Sequence, residues 1–202
     1  MLAGGSGTRF GAAPKGLATV AGDRVVDRVA AALRETTDDL LLVANDPGAD
    51  AWLPGVRRIA DLRPGLGPLG GIHAALTHGG GAVLVVAWDM PFVAPALLAE
   101  LRRLGRVGHT AVVPESADGR LEPACALYAP ACRAEIERWL DSGRSGATAF
   151  LEQCPGAHRI PVAEVASFGD PSRLFFSINT PAALEQAEAL AGEFQHPSSQ
   201  FP

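Results

Sequence analysis

The chain has 202 residues, 48% of them hydrophobic and 19% charged, with a formal net charge of −5. That length supports one α/β domain with a substantial core and leaves too little chain for two ordinary domains and a linker. The acidic balance argues against general nucleic-acid binding, which needs clustered Lys and Arg against phosphates, and no apolar run approaches the roughly 18–20 residues that span a bilayer.

In chain order, the opening MLAGGSGTRF has neither a basic stretch ahead of an apolar core nor a small-residue cleavage site, so the cytoplasm is the expected compartment. A short apolar run, a turn rich in Gly, Pro or Asp, and an amphipathic stretch then recur, the pattern of strands alternating with helices in a mostly parallel sheet. Strands are expected over 1–3, 40–43, 57–60, 82–87, 110–113, 124–127 and 175–178, and helices over 25–34, 69–77, 95–104, 130–140, 147–153 and 181–191. The run AVLVVA over 82–87 is apolar on both faces and belongs near the sheet centre, with helices above and below. Ile136, Trp139 and Leu140 share one helical face. The expected architecture is a three-layer α/β/α, doubly wound, mostly parallel but mixed sheet, formed as one domain over 1–191. The end, GEFQHPSSQFP over 192–202, has no period and is expected to be a disordered tail. Cys125, Cys132 and Cys154 form no CxxC or CxxxC pair, so neither a zinc site nor a disulfide framework is indicated.

The chemistry is concentrated at the strand ends. In LAGGSGTRFGAAPKGL, Gly4, Gly5 and Gly7 let the chain turn sharply and present backbone N–H groups to one anion. Arg9 and Lys15 add the cations that a polyphosphate needs and a packing turn does not. The loop lacks the GK[ST] ending of a P-loop and the GxGxxG spacing of the dinucleotide fold. Asp89 follows the 82–87 strand at its carboxyl end, where ligands gather in open α/β sheets. Mg²⁺ is held by one or two carboxylates plus substrate phosphates, so one Asp there suffices; the competing reading is a turn cap into Met90 and Pro91. Asp61 ends another strand, and the PGLGPLGG that follows admits close approach of a flat ring. The competing reading of Asp61 is a helix cap or turn. His73 and His78, five apart on a helix, point in separated directions and are read as packing or surface residues.

These residues resemble the nucleotidyltransferases that activate sugars, alditols and pterins, whose opening pattern is LAxGxGxRxG followed by a Lys. Within that superfamily the chain is most similar to the molybdenum cofactor guanylyltransferases: LAGG at the start, GLGPLGGI over 65–72, Asp61, AWDMPFV over 87–93, EPACALY over 122–128, RSGATAFL over 144–151 and INTPAAL over 178–184. The likeness covers nearly the whole chain. It implies a Rossmann-like nucleotidyltransferase fold and transfer of GMP from GTP to the phosphate of Mo-molybdopterin. It also implies Mg²⁺ on Asp89 and catalytic roles for Arg9, Lys15 and Asp89. GTP contacts are implied at Leu2, Ala3, Gly4, Gly5, Gly7, Lys15, Asn45, Asp61, Gly67, Pro68, Leu69 and Asp89. On the pterin side it points to Arg120, Arg144, Ser145 and Asn179, with transient contact to other cofactor-biosynthesis proteins.

The sequence departs from the pattern at Pro14, where relatives usually carry Asp before the Lys, at Val43, the earlier of two Asn positions in some relatives, and at Ser177, where another Asn is frequent. Only Met1 and Leu2 precede Ala3, so the first strand is short for this fold, and the chain is expected to begin upstream of Met1. Alternatives on the same scaffold are cytidylyl transfer to the pterin and nucleotidyl transfer to a sugar phosphate. From another class, a GTP-binding regulator without catalysis is disfavoured by the presence of Arg9, Lys15 and Asp89.

Overall fold

The computed structural model describes residues 1–4, 9, 10 and 13–192, the side chains of Arg9, Phe10 and Ala13 excepted. After residues 1–3 come two short hairpins, β1 (Arg9–Phe10) with β2 (Ala13–Pro14) and β3 (Thr19–Val20) with β4 (Asp23–Arg24), separated by one 3₁₀ turn over Lys15–Leu17. Then follow α1 (Val25–Arg34), β5 (Leu41–Val43), β6 (Arg57–Ile59), α2 (Gly67–His78), β7 (Val83–Val86), α3 (Pro95–Gly105), β8 (Ala111–Pro114) and β9 (Cys125–Tyr128). The chain continues with α4 (Cys132–Asp141), α5 (Ala147–Gln153), β10 (Ala157–Ile160), the single turns α6 (Val162–Val165) and α7 (Pro171–Leu174), and α8 (Pro181–Gly192). No described helix is long and apolar enough to cross a membrane.

Residues 1–3 join the two halves of the sheet. Leu2 makes parallel bridges to Val43 on one side and Ala87 on the other, with Leu2 N–H donating to Val86 C=O and Ala3 N–H to Val43 C=O, both at 2.8 Å. The resulting order is β6, β5, residues 1–3, β7, β9, β8, β10, and all run parallel except β9. Successive strand side chains point to opposite faces, and the core divides accordingly. Leu42, Leu84, Val86, Val112 and Leu127 pack with α1 and α3 on one face. Val43, Val85, Val113, Ala126 and Tyr128 pack with α2, α4 and α5 on the other. In α1 the buried residues Val25, Val26, Val29, Ala30 and Leu33 fall on one stripe, the spacing that turns an isolated helix into a sheet-covering one. The three-layer, doubly wound, mixed architecture expected from the sequence is the one observed.

Two expectations need correction. Residues 175–178 form no strand. Asp170 caps the turn α7, accepting from Ser172 N–H at 2.9 Å with Pro171 at the first helical position, and Phe175 ends it. The chain then meets the sheet through Ile178 N–H donating to Asp89 C=O at 3.0 Å, without a ladder. Conversely, β10 was not expected, because AHRI is half polar; as an edge strand it pairs with β8 alone and keeps Arg159 exposed. Helix α8 ends at Gly192, and the tail expectation for 193–202 lies outside the described residues, as do those for Gly5 and Gly7.

At the amino-terminal edge of the parallel strands, a cavity of about 390 Å³ is lined by Met1, Leu41, Val83 and Leu84. The Met1 ammonium donates to Leu41 C=O at 2.8 Å, and burial lowers its pKa from 8.0 to about 5.

Candidate active site

Each parallel strand leaves the sheet at the same edge, so Gly4, Asn45, Asp61 and Asp89 arrive together although the sequence separates them widely. With Leu2, Ala3, Gly67 and Pro68 they line a cavity of about 510 Å³. At one end Asn45 and Asp61 hold each other: Asn45 Nδ2 donates to Asp61 Oδ2 at 2.8 Å, and Asp61 N–H donates to Asn45 Oδ1 at 2.8 Å. Helix α2 begins directly over this pair. A Cβ on Gly71 would stand 3.2 Å from Leu2 Cδ2 and 3.5 Å from Asp61 Oδ1, so its glycine lets the helix ride close to the strand end. The side chain of Leu69 does not reach the cavity. It is fully buried in the core cluster that includes Val43, because its position on α2 faces the sheet.

At the other end Lys15 and Asp89, 6% and 7% exposed, form an ion pair of 2.5 Å between Nζ and Oδ2. Lys15 Nζ also donates to Asn179 Oδ1 at 2.7 Å. The turn carrying Lys15 lies on Trp88: a Cβ on Gly16 would fall 2.3 Å from the indole ring. Trp88 in turn stacks on Trp52 with centroids 4.7 Å apart, and both line the cavity. Trp88 thus packs between the Lys15 turn and Trp52. Trp52 was missed, because it lies in an aperiodic segment and its partner is remote in sequence. Asp46 also lines the cavity; its side chain accepts from Gly48 N–H at 2.8 Å, and a turn-capping Asp carries no signal of a site.

Among the described residues no three His, Cys, Asp or Glu side chains gather as a closed metal cage. A hard divalent cation needs no such cage where a substrate supplies oxygens. Asp89, a carboxylate on the wall of a cavity large enough for phosphates, fits that kind of shared site.

The four pterin-side residues separate. Asn179 lies at Lys15. Arg120 is exposed and pairs with Asp118 at 3.1 Å in the loop between β8 and β9. Arg144 lies over the Trp139 ring at 3.6 Å and donates from Nε to Ser142 Oγ at 2.9 Å, and Ser145 beside it is exposed. None of these three lines the cavity, yet their loops leave the sheet at the same edge, because α4 returns there after the antiparallel β9. Arg63, just past Asp61, pairs with Asp141 at the end of α4 at 2.6 Å and ties the two regions together. Nearby, burial raises the Glu122 carboxyl pKa. His73 is buried, with Nε2 3.1 Å from Glu137 Oε1, which agrees with the packing role read for it. The side chain of Arg9 lies outside the described residues.

Residues 1–159 match the MobA-like NTP transferase domain. The chain belongs to that family. Among its relatives, a molybdenum cofactor guanylyltransferase of Desulfosudis oleivorans is 33% identical over 196 residues, covering 94% of this chain and 93% of its own. One from Cereibacter sphaeroides is 35% identical over 195 residues, covering 94% of each. The crystal structure of molybdopterin-guanine dinucleotide biosynthesis protein A from Archaeoglobus fulgidus superposes with a TM-score of 0.77 at 31% identity, over 95% of this chain and 97% of that one. This MobA-like transferase places Lys15 of its glycine-rich opening and Asp89 of the AWDMPFV segment in direct contact.

Proposed function

We propose that the protein transfers GMP from GTP to the phosphate of Mo-molybdopterin, giving the guanine dinucleotide form of the cofactor and pyrophosphate. The observation that carries this reading is the Lys15–Asp89 pair at one end of a cavity whose other end is the Asn45–Asp61 pair beneath α2. It is supported by the names of relatives that align along nearly the whole chain.

In this reading the base lies against Asn45, Asp61 and the Gly67–Pro68 turn. A carboxylate and backbone carbonyls there accept the N1–H and N2–H₂ donors of guanine, which cytosine does not present in that pattern. The triphosphate runs towards Lys15, with Gly4, Gly5 and Gly7 giving backbone N–H groups and Arg9 a guanidinium. Asp89 would hold Mg²⁺, which when bound supplies charge neutralisation on the phosphates. The acceptor is already a phosphate anion, so no side chain need act as a general base. The work of Lys15 and Arg9 is to hold the triphosphate for in-line displacement and to offset the charge on the departing pyrophosphate. Arg120, Arg144 and Ser145 would receive the pterin at the same edge of the sheet. The reaction belongs in the cytoplasm.

The test is a calorimetric titration of the protein with GTP, CTP, ATP and UTP in the presence of Mg²⁺. Selective binding of GTP is the expected result. A preference for CTP would move the protein to cytidylyl transfer on the same scaffold, and no binding of any nucleotide would remove the reading.

A further inference from the structure

Lys15 is the single lysine in the chain, whose other 16 of 17 basic side chains are arginines. A planar guanidinium serves elsewhere, so the ammonium at this one place calls for an account of its geometry. An ammonium has three N–H donors directed tetrahedrally, and a guanidinium offers its donors in one plane. Two convergent acceptors are present, Asp89 Oδ2 at 2.5 Å and Asn179 Oδ1 at 2.7 Å. With those two bonds made, one N–H remains, on a residue whose partner Asp89 lines the cavity.

We propose that Asn179 is a positioning residue for Lys15: its side-chain oxygen holds the ammonium beside Asp89 so that the third N–H serves a phosphate oxygen of the nucleotide. The inference rests on the reading of this cavity as the GTP site, and it moves Asn179 from the acceptor side to the donor side. Asn179 is well placed for this task. Ile178 before it is fully buried against Val20, Val25, Ala187 and Ala191, and donates its N–H to the Asp89 carbonyl at 3.0 Å. Thr180 after it accepts from Ala183 N–H at 3.1 Å and so caps α8. The residue that anchors the Lys15 ammonium is thus fixed on one side to the Asp89 segment, remote in sequence, and on the other to the start of α8. A neutral acceptor also has a use that a second carboxylate lacks. It keeps the ammonium in place when Asp89 takes up a cation, without adding a negative charge that would repel the phosphates.

The experiment measures GTP affinity with Mg²⁺ and no acceptor present, for wild type, Asn179→Ala, Lys15→Met and the double variant. Asn179→Ala is expected to weaken GTP about tenfold, the loss of one hydrogen bond that positions a charged group, and to add nothing in the Lys15→Met background. Asn179→Ser, which keeps an oxygen one atom short, should fall between, and carries the test if the alanine variant proves unstable. Unchanged GTP affinity in Asn179→Ala, or a further loss in the double variant, would overturn the proposal. A measurement without nucleotide separates its failure from that of the GTP reading. Nitrogen-15-labelled lysine gives one side-chain ammonium signal, which Asn179→Ala should displace or broaden; an unmoved signal refutes the contact whatever the protein binds.

Discussion

Lys15 and Asp89 are each less than a tenth exposed, and neither is stable there without the other, since an unpaired buried charge is strongly destabilising. Under the proposed reaction, a nucleotide carrying phosphates and a divalent cation would engage both members, the phosphates at Lys15 and the cation at Asp89. The two members were legible in the sequence because each follows a glycine-rich or apolar strand pattern with a fixed chemical use. Asn179 was named for the pterin side, and its contact with Lys15 was not legible, because Asn179 reaches Lys15 only through the packing of Ile178 beside it. Trp52 escaped for the same reason, and Leu69 was drawn into the site by its neighbours Gly67 and Pro68 although its own helical position turns it into the core. Asp89→Asn keeps the shape and removes the charge. Turnover with Mg²⁺ is expected to fall by about 10² to 10³, as for loss of one charge-stabilising group, and undiminished turnover would take the metal role away from Asp89.

Among the elements, the sheet owes its centre to three residues. Residues 1–3 bridge β5 and β7, and a cavity lies at their amino-terminal end. The buried ammonium of Met1 has a pKa near 5 in place of 8.0. Between those values the unfolded chain binds more protons than the folded one, so stability rises as pH increases through that window and is level on either side of it. The effect is on the order of 4 kcal/mol at most, from about three pKa units. Melting temperatures recorded from pH 5 to pH 8 should climb for this chain. A version extended by two apolar residues ahead of Met1 should lose that slope and melt higher, because the ammonium leaves the interior and the cavity is filled; an identical profile would contradict this. Of the expected elements, the six main helices and the central strands were readable from period and turn residues. The failures were at edges: β10 is half polar, and 175–178 is apolar enough for a strand but is diverted by the capped turn at Asp170.

For the whole molecule, two core faces meet along the sheet, and the candidate site occupies the edge where all its parallel strands end. A ligand there would lie among residues from the first three quarters of the chain, Gly4, Asp61, Asp89 and Ala124, and through Lys15 would couple to Asn179 in the fourth. Binding should therefore stabilise the molecule as a unit. At a GTP concentration about 100 times its dissociation constant the gain is about 2.7 kcal/mol, which for a chain of this size raises the melting temperature by roughly 5–10 °C. CTP at the same concentration should give little shift, and equal shifts from both would count against a guanine-selective pocket. The sequence by itself determined the layered α/β class and pointed to candidates for a phosphate loop and a metal ligand, because these depend on periodicity and on residue types whose chemistry is local. Only the tertiary structure decided that Asn45 locks Asp61, that Trp52 lies on Trp88 and that Asn179 holds Lys15, because contacts between remote segments depend on how strands are ordered in the sheet, and strand order leaves no periodic trace in the chain.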